Sequence, residues 1–274
     1  MSGELYLVAT PISNLEDITI RAKKVLESVD FIAAEDTRHT LKLLNYLNIS
    51  KPLISYYKQN EKTKSDTIIK RILNGENAAV VSDAGTPAIS DPGEEIVKVA
   101  IENGIKIIPI PGACALINAL ICSGISSREF CFIGFLSAIK KEKKEKLQEL
   151  KTETKTIIFY EAPHKLINTL EMIYEILGDR KITLARELTK IHEEFIYGNV
   201  SEILKNIEPK GEYVLILEGS SKSQKDIDLE ILKNNTLEEH YKYYEQLGFE
   251  KKEIIKKIAK DRNTNKNEIY KYFN

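Results

Sequence analysis

Short apolar runs rich in β-branched residues alternate along the chain with longer segments of helical periodicity. The runs before the Pro-Gly pair at 111–112 are residues 5–9, 31–34, 78–82 and 105–110, and the runs after it are 156–160, 182–185 and 213–217. Strands that alternate with helices are typical of βαβ units, whose strands run parallel. The pattern predicts an α/β fold with largely parallel sheets.

The Pro-Gly pair separates these runs into two groups. We therefore predict an N-terminal α/β domain at residues 1–112 and a C-terminal α/β domain at residues 113–219. The polar segment 219–224 ends the strand pattern and predicts a linker. Beyond it, the apolar residues of 254–259 keep helical spacing, and a polar break at 263–266 precedes a second apolar group at 269–273. Residues 220–274 are thus predicted to be a linker and a small basic helical tail that ends in a helix–turn–helix.

The sequence contains start and stop signals for one predicted helix. Asp91 is a favourable N-cap residue, Pro92 suits the first helical position, and Glu94 complements the positive end of the helix dipole. The Asn103-Gly104 pair is typical of a helix C-terminus. The sequence predicts a helix that is capped by Asp91 and ends near Gly104.

Charge is balanced over the whole chain and uneven within it. The 40 basic and 41 acidic residues give a net charge of −1, which argues against a polycationic nucleic-acid coat and against an acidic tail protein. Residues 138–155 nevertheless carry +3 and residues 251–271 carry +5, so two basic patches lie on an acidic body. The 42% hydrophobic content of 274 residues suits one large or two medium globular domains.

The cysteine and histidine positions do not predict a disulfide framework or a metal site. Cys114, Cys122 and Cys131 follow no C-x-x-C spacing, and the four histidines are scattered. This usage favours a reducing, cytoplasmic location. Residues 1–5 lack the basic segment of a signal peptide, and the longest apolar stretch, near 113–122, is only about ten residues long. We expect no membrane association.

Polar loops follow several strands of the N-terminal half. The strand at 78–82 leads into an unusually long loop of Asp, Gly, Ser, Thr and Pro at 83–93, and other polar loops lie at 10–17, 35–40 and 111–115. Ligands of α/β sheets bind at strand carboxyl ends, so the four loops predict a shared cleft, although any one could be an ordinary turn. The G-x-G-x-x-G and P-loop signatures are absent from the sequence, which argues against dinucleotide and P-loop chemistry.

Six motifs that occur in one order carry a family resemblance. They are A-T-P-I-x-N-L at 9–15, E-D-T-R at 35–38, S-D-A-G-T-P at 82–87 with D-P-G at 91–93, P-G at 111–112, F-Y-E-x-P-H at 159–164 and A-R-E-L-T-K at 185–190. In these motifs the chain resembles the ribosomal RNA small subunit methyltransferase I family, the 16S rRNA cytidine 2′-O-methyltransferases of the tetrapyrrole methylase superfamily. The resemblance spans roughly residues 4–219, and the segment at 266–270 is similar to that family's C-terminal region.

The resemblance implies two α/β domains with S-adenosylmethionine in the cleft between them, a homodimer and no metal. The cofactor-binding residues that it implies are Asp83, Ala84, Gly85, Thr86, Ile89, Ser90 and Ala113. Two positions depart from the family pattern, since Ser13 stands in place of a glycine and Ser137 in place of a proline. A serine at position 13 would be strained if the loop required a positive φ there.

Methyl transfer to a ribose hydroxyl is an in-line displacement that needs close alignment and the removal of a proton. Charged residues that follow strands in both domains could meet across the cofactor. We predict that the catalytic group includes Arg38, Glu187, Glu35 and Arg186. Further candidates are Asp36, His39, Glu161, His164 and Lys165, and a structural ion-pair network is the alternative for all of them.

The basic segments and the tyrosines of the tail suit phosphate contacts and base stacking. The resemblance implies 16S rRNA within the small ribosomal subunit as the partner. One alternative is a methyltransferase of a small tetrapyrrole, but the loop at 10–14 lacks the G-x-G-D-P form of those enzymes. The other is a non-catalytic RNA-binding protein with a vestigial cofactor site.

Overall fold

The computed structural model describes residues 2–273, apart from the side chain of residue 225, and its first half is built on a parallel sheet. The strands of this sheet are β1 (Leu5–Val8), β2 (Phe31–Ala34), β3 (Leu53–Ser55), β4 (Ala78–Val81) and β5 (Ile107–Ile110). They lie in the order β3-β2-β4-β1-β5, and every pair is parallel. β2 and β4 are buried along their whole length, as expected for strands covered by helices on both faces.

Four helices cover the first sheet and form two apolar cores with it. They are α1 (Ile20–Ser28), α2 (Thr37–Leu47), α3 (Glu61–Leu73) and α4 (Glu94–Glu102). On one face, Leu26 of α1 and Leu44 of α2 pack with strand residues such as Ile32. On the other, Ile68 of α3 and Ile96 of α4 pack against the opposite sides of the same strands. Because side chains point to alternate faces along each strand, the same strands contribute residues to both cores.

The second half is built on a mixed sheet. Its strands are β6 (Phe130–Phe135), β7 (Thr156–Glu161), β8 (Lys181–Arg186), β9 (Glu194–Asn199) and β10 (Tyr213–Leu217), in the order β6-β7-β10-β8-β9. β6 pairs with β7 in parallel, and the other pairs are antiparallel. The prediction of largely parallel sheets was therefore wrong for this half. A parallel crossover needs a dozen or more residues, and the β8–β9 connection, 187–193, is too short for one.

Helices cover the second sheet unequally. They are α5 (Ala115–Cys122), α6 (Lys140–Glu149), α7 (Pro163–Leu177) and α8 (Val200–Asn206). The last three pack on one face, where Leu147, Leu170 and Ile203 share a core with the strands. α5 covers the other face through Leu116 and Leu120. The space beside α5 on that second face faces the first half of the chain and contains the site described below.

The structure corrects the predicted start of α4. Its N-cap is Gly93, with φ 146°, and no side chain caps it. The Gly93 amide instead donates to the Glu61 carboxylate at 2.9 Å. A Cβ at Gly93 would lie 2.9 Å from the Cβ of Ala88, so the close turn needs glycine. Asp91 is therefore not the N-cap, and its side chain lies in a cavity.

The chain ends in four helices that follow the irregular segment after β10. They are α9 (Gln224–Asn234), α10 (Leu237–Gln246), α11 (Lys251–Asp261) and α12 (Lys266–Tyr272). The predicted helical tail is confirmed, and its last two helices correspond to the predicted helix–turn–helix. Within residues 2–273, no helix is long and apolar enough to cross a membrane. The domain boundaries at residues 112 and 219 stay predictions.

Candidate functional site

A cavity of about 310 Å³ lies between the two halves of the chain, which is within the size range of small-molecule sites. The first half contributes Ile12 and residues between 84 and 91. The second half contributes Cys114, Ala115 and Phe135, together with residues of the segments 160–162, 185–190 and 212–214. The cavity thus lies at the carboxyl ends of strands from both sheets.

The loops after β1 and β4 form the floor of the cavity. The Thr10 amide donates to the Gly85 carbonyl at 2.8 Å, and the Gly85 amide donates back at 3.1 Å. The Thr10 hydroxyl also donates to the Ser82 carbonyl at 3.2 Å. Gly85 has φ +78°, and a Cβ there would lie 3.5 Å from the Ala113 carbonyl oxygen. A β-branched side chain at position 85 would be strained in this conformation.

The predicted cofactor residues divide into two groups. Those that line the cavity are Ala84, Gly85, Thr86, Ile89 and Ser90. Asp83 and Ala113 lie outside the lining and support it. The Asp83 carboxylate accepts from the Asp36 amide at 3.0 Å, and the Ala113 carbonyl accepts from the Thr86 hydroxyl at 2.9 Å. Both residues therefore fix the cavity-lining loop from its outer side.

The loop at 88–93 connects the floor to the opposite wall. Ala88 and Ser90 have φ values of 65° and 67°, which non-glycine residues seldom adopt. The Ser90 hydroxyl oxygen lies 2.9 Å from where a Cβ at Gly134 would stand, next to the irregular register of β6. Glycine at position 134 therefore lets this loop touch β6 and close one side of the cavity.

Aromatic side chains form the opposite wall. Tyr160 makes edge contacts with Phe132 and Phe135, at centroid distances of 4.9 and 5.5 Å. Its hydroxyl accepts from the Leu116 amide at 3.2 Å. Burial raises the pKa of Tyr160, so its phenol stays neutral near pH 7. This wall offers apolar surface and one neutral hydroxyl.

A buried network of hydrogen-bonded side chains reaches the same wall. Lys143 is 3% exposed, and its ammonium donates to the Thr169 hydroxyl at 2.9 Å. The Thr169 hydroxyl donates in turn to Oε2 of Glu161 at 2.5 Å. The other oxygen of Glu161 accepts from the Ala162 amide at 2.9 Å. Burial lowers the pKa of Lys143, while the Glu161 charge raises it. These hydrogen bonds fix the Glu161 carboxylate at the edge of the cavity.

Glu187 is the predicted catalytic residue that lines the cavity. Its Oε1 accepts from the Lys190 ammonium at 2.8 Å and from the Glu212 amide at 3.0 Å. The Lys190 hydrogen bond is the main reason that the pKa of Glu187 is lowered. Glu187 and Thr189 both have positive φ, and the Thr189 hydroxyl accepts from the Ser13 amide at 3.2 Å. This contact joins the two halves, and Ser13 itself does not adopt a positive φ.

The other predicted catalytic residues lie outside the lining. The Arg38 side chain is 88% exposed and pairs with Asp36 through Nε at 3.0 Å and Nη2 at 2.6 Å. Arg186 pairs with Glu194 at 2.7 Å, and its buried Nε has no partner. Burial raises the pKa of Glu35, whose carboxylate accepts from the Asp83 amide at 3.4 Å. The structure therefore does not gather the four residues around one point.

Asp91 lines the cavity, although the sequence assigned it to a helix N-cap. Burial raises its pKa to about 7, and the neighbouring charges of Glu35 and Asp83 add to the increase. The sequence placed Asp91 in the polar loop at 83–93 that predicts a cleft, but the N-cap pattern at 91–94 gave its side chain a structural role. Within residues 2–273, no group of three or more His, Cys, Asp or Glu side chains is placed to hold a metal ion.

Comparison with known proteins identifies relatives of the whole chain. The family model described as tetrapyrrole (corrin/porphyrin) methylases matches residues 4–204. The ribosomal RNA small subunit methyltransferase I of Bacillus subtilis is 50% identical over 271 residues, which cover 98% of this chain and 93% of that protein. The protein of the same name from Thermotoga maritima is 46% identical and covers 79% of this chain but 99% of its own length.

A solved structure shares the fold at low sequence identity. It is the uroporphyrin-III C-methyltransferase of Thermus thermophilus in complex with S-adenosylhomocysteine, with a TM-score of 0.57 and 16% identity. The match covers 79% of this chain and 97% of that one. At this level of identity the likeness concerns the fold alone.

Proposed function

Because the chain belongs to the tetrapyrrole methylases, and within them to the ribosomal RNA small subunit methyltransferase I family, we propose that it methylates the 2′-oxygen of a cytidine ribose in 16S rRNA. S-adenosylmethionine is the methyl donor. The observation that carries the proposal is the 50% identity to the Bacillus subtilis protein over nearly the whole of both chains. The target base and the ribose oxygen come from the family resemblance in the six sequence motifs.

The cavity has the properties that this donor requires. Its floor presents small residues and backbone groups at Ala84, Gly85 and Thr86, and Ile89 and Ser90 extend it toward the aromatic wall. Backbone amides and carbonyls can bind the polar groups of a nucleoside, and the apolar wall can cover its base. We propose that these five residues contact the donor, while Asp83 and Ala113 hold the loop in place through the hydrogen bonds given above.

The predicted catalytic residues have different surroundings, which separates their proposed roles. Glu187 is fixed by Lys190 inside the cavity, so we propose that it orients the acceptor ribose. Arg38 is exposed beside the first sheet, where it can contact an RNA phosphate. Glu35 and Arg186 lie behind the lining, with partners of their own. We propose that these two act through their neighbours and do not contact the substrate.

The basic segments support an RNA partner in the small ribosomal subunit. α6 presents exposed lysines such as Lys140, Lys141 and Lys144, and α11 presents Lys252, Lys256 and Lys260. Exposed lysines on one helix face suit electrostatic contact with phosphates. A homodimer and a cytoplasmic location remain predictions from the resemblance and the cysteine usage.

The test is transfer of a labelled methyl group. The protein is incubated with labelled S-adenosylmethionine and small ribosomal subunits that lack ribose methylation, and the label is mapped by nuclease digestion and mass spectrometry. We expect label on the 2′-oxygen of one cytidine of 16S rRNA. Label on a base would contradict the ribose assignment. Label on a tetrapyrrole acceptor in a parallel reaction, with none on RNA, would favour the tetrapyrrole alternative, and RNA binding without any transfer would favour the non-catalytic one.

A further inference from the structure

An extra residue in β6 sets the direction of the Phe135 side chain. In a regular strand, Phe132 and Phe135 would point to opposite faces, because they are an odd number of residues apart. The register of β6 on β7 leaves Ile133 without a partner, and both rings contact Tyr160 on the cavity face. Gly134, with φ 73°, allows this irregularity. Bulges next to functional sites commonly re-aim one side chain, and here that side chain is Phe135.

The Phe135 ring lies at the mouth of the cavity. It lines the cavity and is nevertheless 60% exposed. Tyr160 beside it is half-buried, so the aromatic wall becomes more exposed from Tyr160 outward to Phe135. Because the ring is turned toward solvent, packing in the core does not explain why the strand is irregular at this point. The apolar face of the ring is available to a ligand.

Phe135 also lies next to the loop that is proposed to bind the methyl donor. Its chain neighbour Gly134 approaches Ser90, whose hydroxyl oxygen would be 2.9 Å from a Cβ at position 134. In a nucleotide, the base is attached to C1′, the carbon next to the one that carries the 2′-oxygen. When the 2′-oxygen of the acceptor reaches the donor methyl group, the base of the same nucleotide therefore lies beside the reacting atoms.

Positive charge follows β6 directly along the chain. Ser137 fixes the turn after the strand, because its hydroxyl accepts from the Ile139 amide at 3.1 Å and donates to the Glu142 carboxylate at 2.6 Å. α6 then begins at Lys140, and both Lys140 and Lys144 are exposed without an ion-pair partner among residues 2–273. An exposed aromatic ring beside unpaired lysines matches a nucleotide, which has an apolar base face and an anionic phosphate.

From these observations, and resting on the proposed function, we propose that Phe135 stacks on the base of the nucleotide whose ribose is methylated. Stacking on a side chain needs a base that has left its own helical stack, as in the recognition of single-stranded and extruded nucleotides. Every base has a π-face, so the ring positions the nucleotide and does not by itself select cytosine. Tyr160, deeper in the wall, remains for the donor.

The experiment compares wild-type protein with Phe135→Leu, which keeps the apolar bulk, and Phe135→Tyr, which keeps the ring. Single-turnover methylation of small ribosomal subunits that lack ribose methylation is measured against protein concentration, and S-adenosylmethionine affinity is measured by calorimetry. We expect Phe135→Leu to lower the apparent second-order rate constant about ten-fold. Phe135→Tyr should stay within about three-fold of wild type, and donor affinity should stay within about three-fold in both variants.

A substrate without the base makes the test specific for stacking. Small subunits are reconstituted with 16S rRNA that carries an abasic ribose at the methylated position. Wild-type protein should lose about ten-fold on this substrate, and Phe135→Leu should lose little more, because its missing ring has no base to stack on. A further ten-fold loss for Phe135→Leu on the abasic subunits would show that ring and base act independently and would overturn the proposal.

Tyr174→Leu is the matched control, because Tyr174 is a 47% exposed aromatic residue of α7 that does not line the cavity. It should leave the rate constant and the donor affinity unchanged. A rate constant for Phe135→Leu within three-fold of wild type on normal subunits would contradict the proposal. A loss of donor affinity in parallel with the rate constant would assign the ring to the donor and contradict it too. Wild-type label on a position other than a ribose oxygen would instead contradict the proposed function.

Discussion

At the scale of single residues, the most demanding feature is the burial of two opposite charges that do not touch. Lys143 and Glu161 are joined only through the Thr169 hydroxyl, which is fully buried. A hydroxyl can accept from an ammonium while it donates to a carboxylate, so this one group bridges both charges. Buried charges that lose their partner are strongly destabilising. The stability of the second half should therefore depend on one hydroxyl.

We expect Thr169→Val to lower the free energy of unfolding by about 3 kcal/mol, because it keeps the shape and removes the bridge between the two charges. Urea denaturation followed by circular dichroism measures this. Thr67→Val is the control, since Thr67 is an exposed threonine within α3, and it should change stability by less than about 0.5 kcal/mol. Equal effects of the two substitutions would show that the buried network adds nothing to stability.

Gly85 allows a second prediction at this scale. Its φ of +78° is strained for a β-branched residue, and it exchanges two hydrogen bonds with Thr10 on the cavity floor. We expect Gly85→Val to weaken S-adenosylmethionine binding at least ten-fold in calorimetry, because the strain of about 1–3 kcal/mol distorts the floor. Gly104→Val is the control, because Gly104 has a similar φ of +65° and does not line the cavity. Apart from its chain neighbours, none of residues 2–273 would have a heavy atom within 4 Å of a Cβ at Gly104. Gly104→Val should lower stability comparably and leave donor affinity unchanged.

The family resemblance predicted part of this site. It implied that Ala84, Gly85, Thr86, Ile89 and Ser90 bind the cofactor, and all five line the cavity. Asp91 was assigned to a helix cap because Asp-Pro-Gly-Glu satisfies the capping pattern, and only the positive φ of Gly93 shows that the helix starts later. Lys143 could not be distinguished from its neighbours, since five of the seven residues 140–146 are lysines and burial depends on the packing of α6 on α7.

At the scale of elements, the sequence predicted seven of the ten strands that the structure describes and missed β3, β6 and β9. β3 has three residues, β6 contains Gly134 and an irregular register, and β9 is an edge strand without a buried residue. All three lie at sheet edges, where one neighbour is missing and the apolar pattern weakens. The antiparallel pairing of the second sheet was missed because it depends on which strands become neighbours, which local periodicity does not encode.

The tail elements are held together by a buried histidine. His240 of α10 is 0% exposed, and Nδ1 accepts from Nε of Arg262 at 3.2 Å. Because an arginine can only donate, the ring must carry its proton on Nε2, which faces Asp261 at 3.3 Å. Burial lowers the pKa of His240 below its ordinary value. The neutral ring therefore belongs to the folded tail, and protonation opposes folding.

The sign of the pH effect follows from this lowered pKa. Below an ordinary pKa of about 6.5 the unfolded tail binds a proton that the folded tail does not, so stability falls as the pH decreases through this range. Hydrogen exchange at the amides of α10 and α11 gives the free energy of opening of the tail. We expect this free energy, relative to that of global unfolding, to be lower at pH 5.5 than at pH 7.5. His240→Gln should reduce this pH dependence, and His192→Gln, at an exposed position, should not. If the tail of His240→Gln keeps the same pH dependence of stability, groups other than His240 cause that dependence.

At the scale of the whole molecule, the cavity exists because distant loops meet. The Ser13–Thr189 and Ser90–Gly134 contacts join the halves on two sides, and neither pair is close in sequence. Sequence reasoning predicted a cleft from polar strand ends but placed Arg38, Glu35 and Arg186 within it. Those side chains lie at strand ends too, and they are engaged by Asp36, Asp83 and Glu194 outside the lining. Whether a side chain lines the cavity therefore depends on which face of the strand end it occupies.

The tail has an apolar cluster of its own. A relative of the same family from Thermotoga maritima matches 79% of this chain over 99% of its own length, so a part equal in size to the tail has no counterpart there. α11 packs through Ile254, Ile255 and Ile258 and turns Lys252, Lys256 and Lys260 to the surface. Since the cavity lining contains no tail residue, the tail should affect substrate affinity and not the chemical step.

Replacing Lys252, Lys256 and Lys260 together by glutamine tests this division. We expect weaker binding to small ribosomal subunits and a shallower plot of log affinity against log salt, by about one unit for each lysine that contacts a phosphate. The single-turnover rate on saturating subunits and the affinity for S-adenosylmethionine should stay unchanged. The control replaces Lys23, Lys24 and Lys70, which are exposed on α1 and α3, and makes the same change in net charge. Equal slopes in the two triple variants would mean that the tail acts only through total charge, and a lower rate at saturation would connect it to the chemical step.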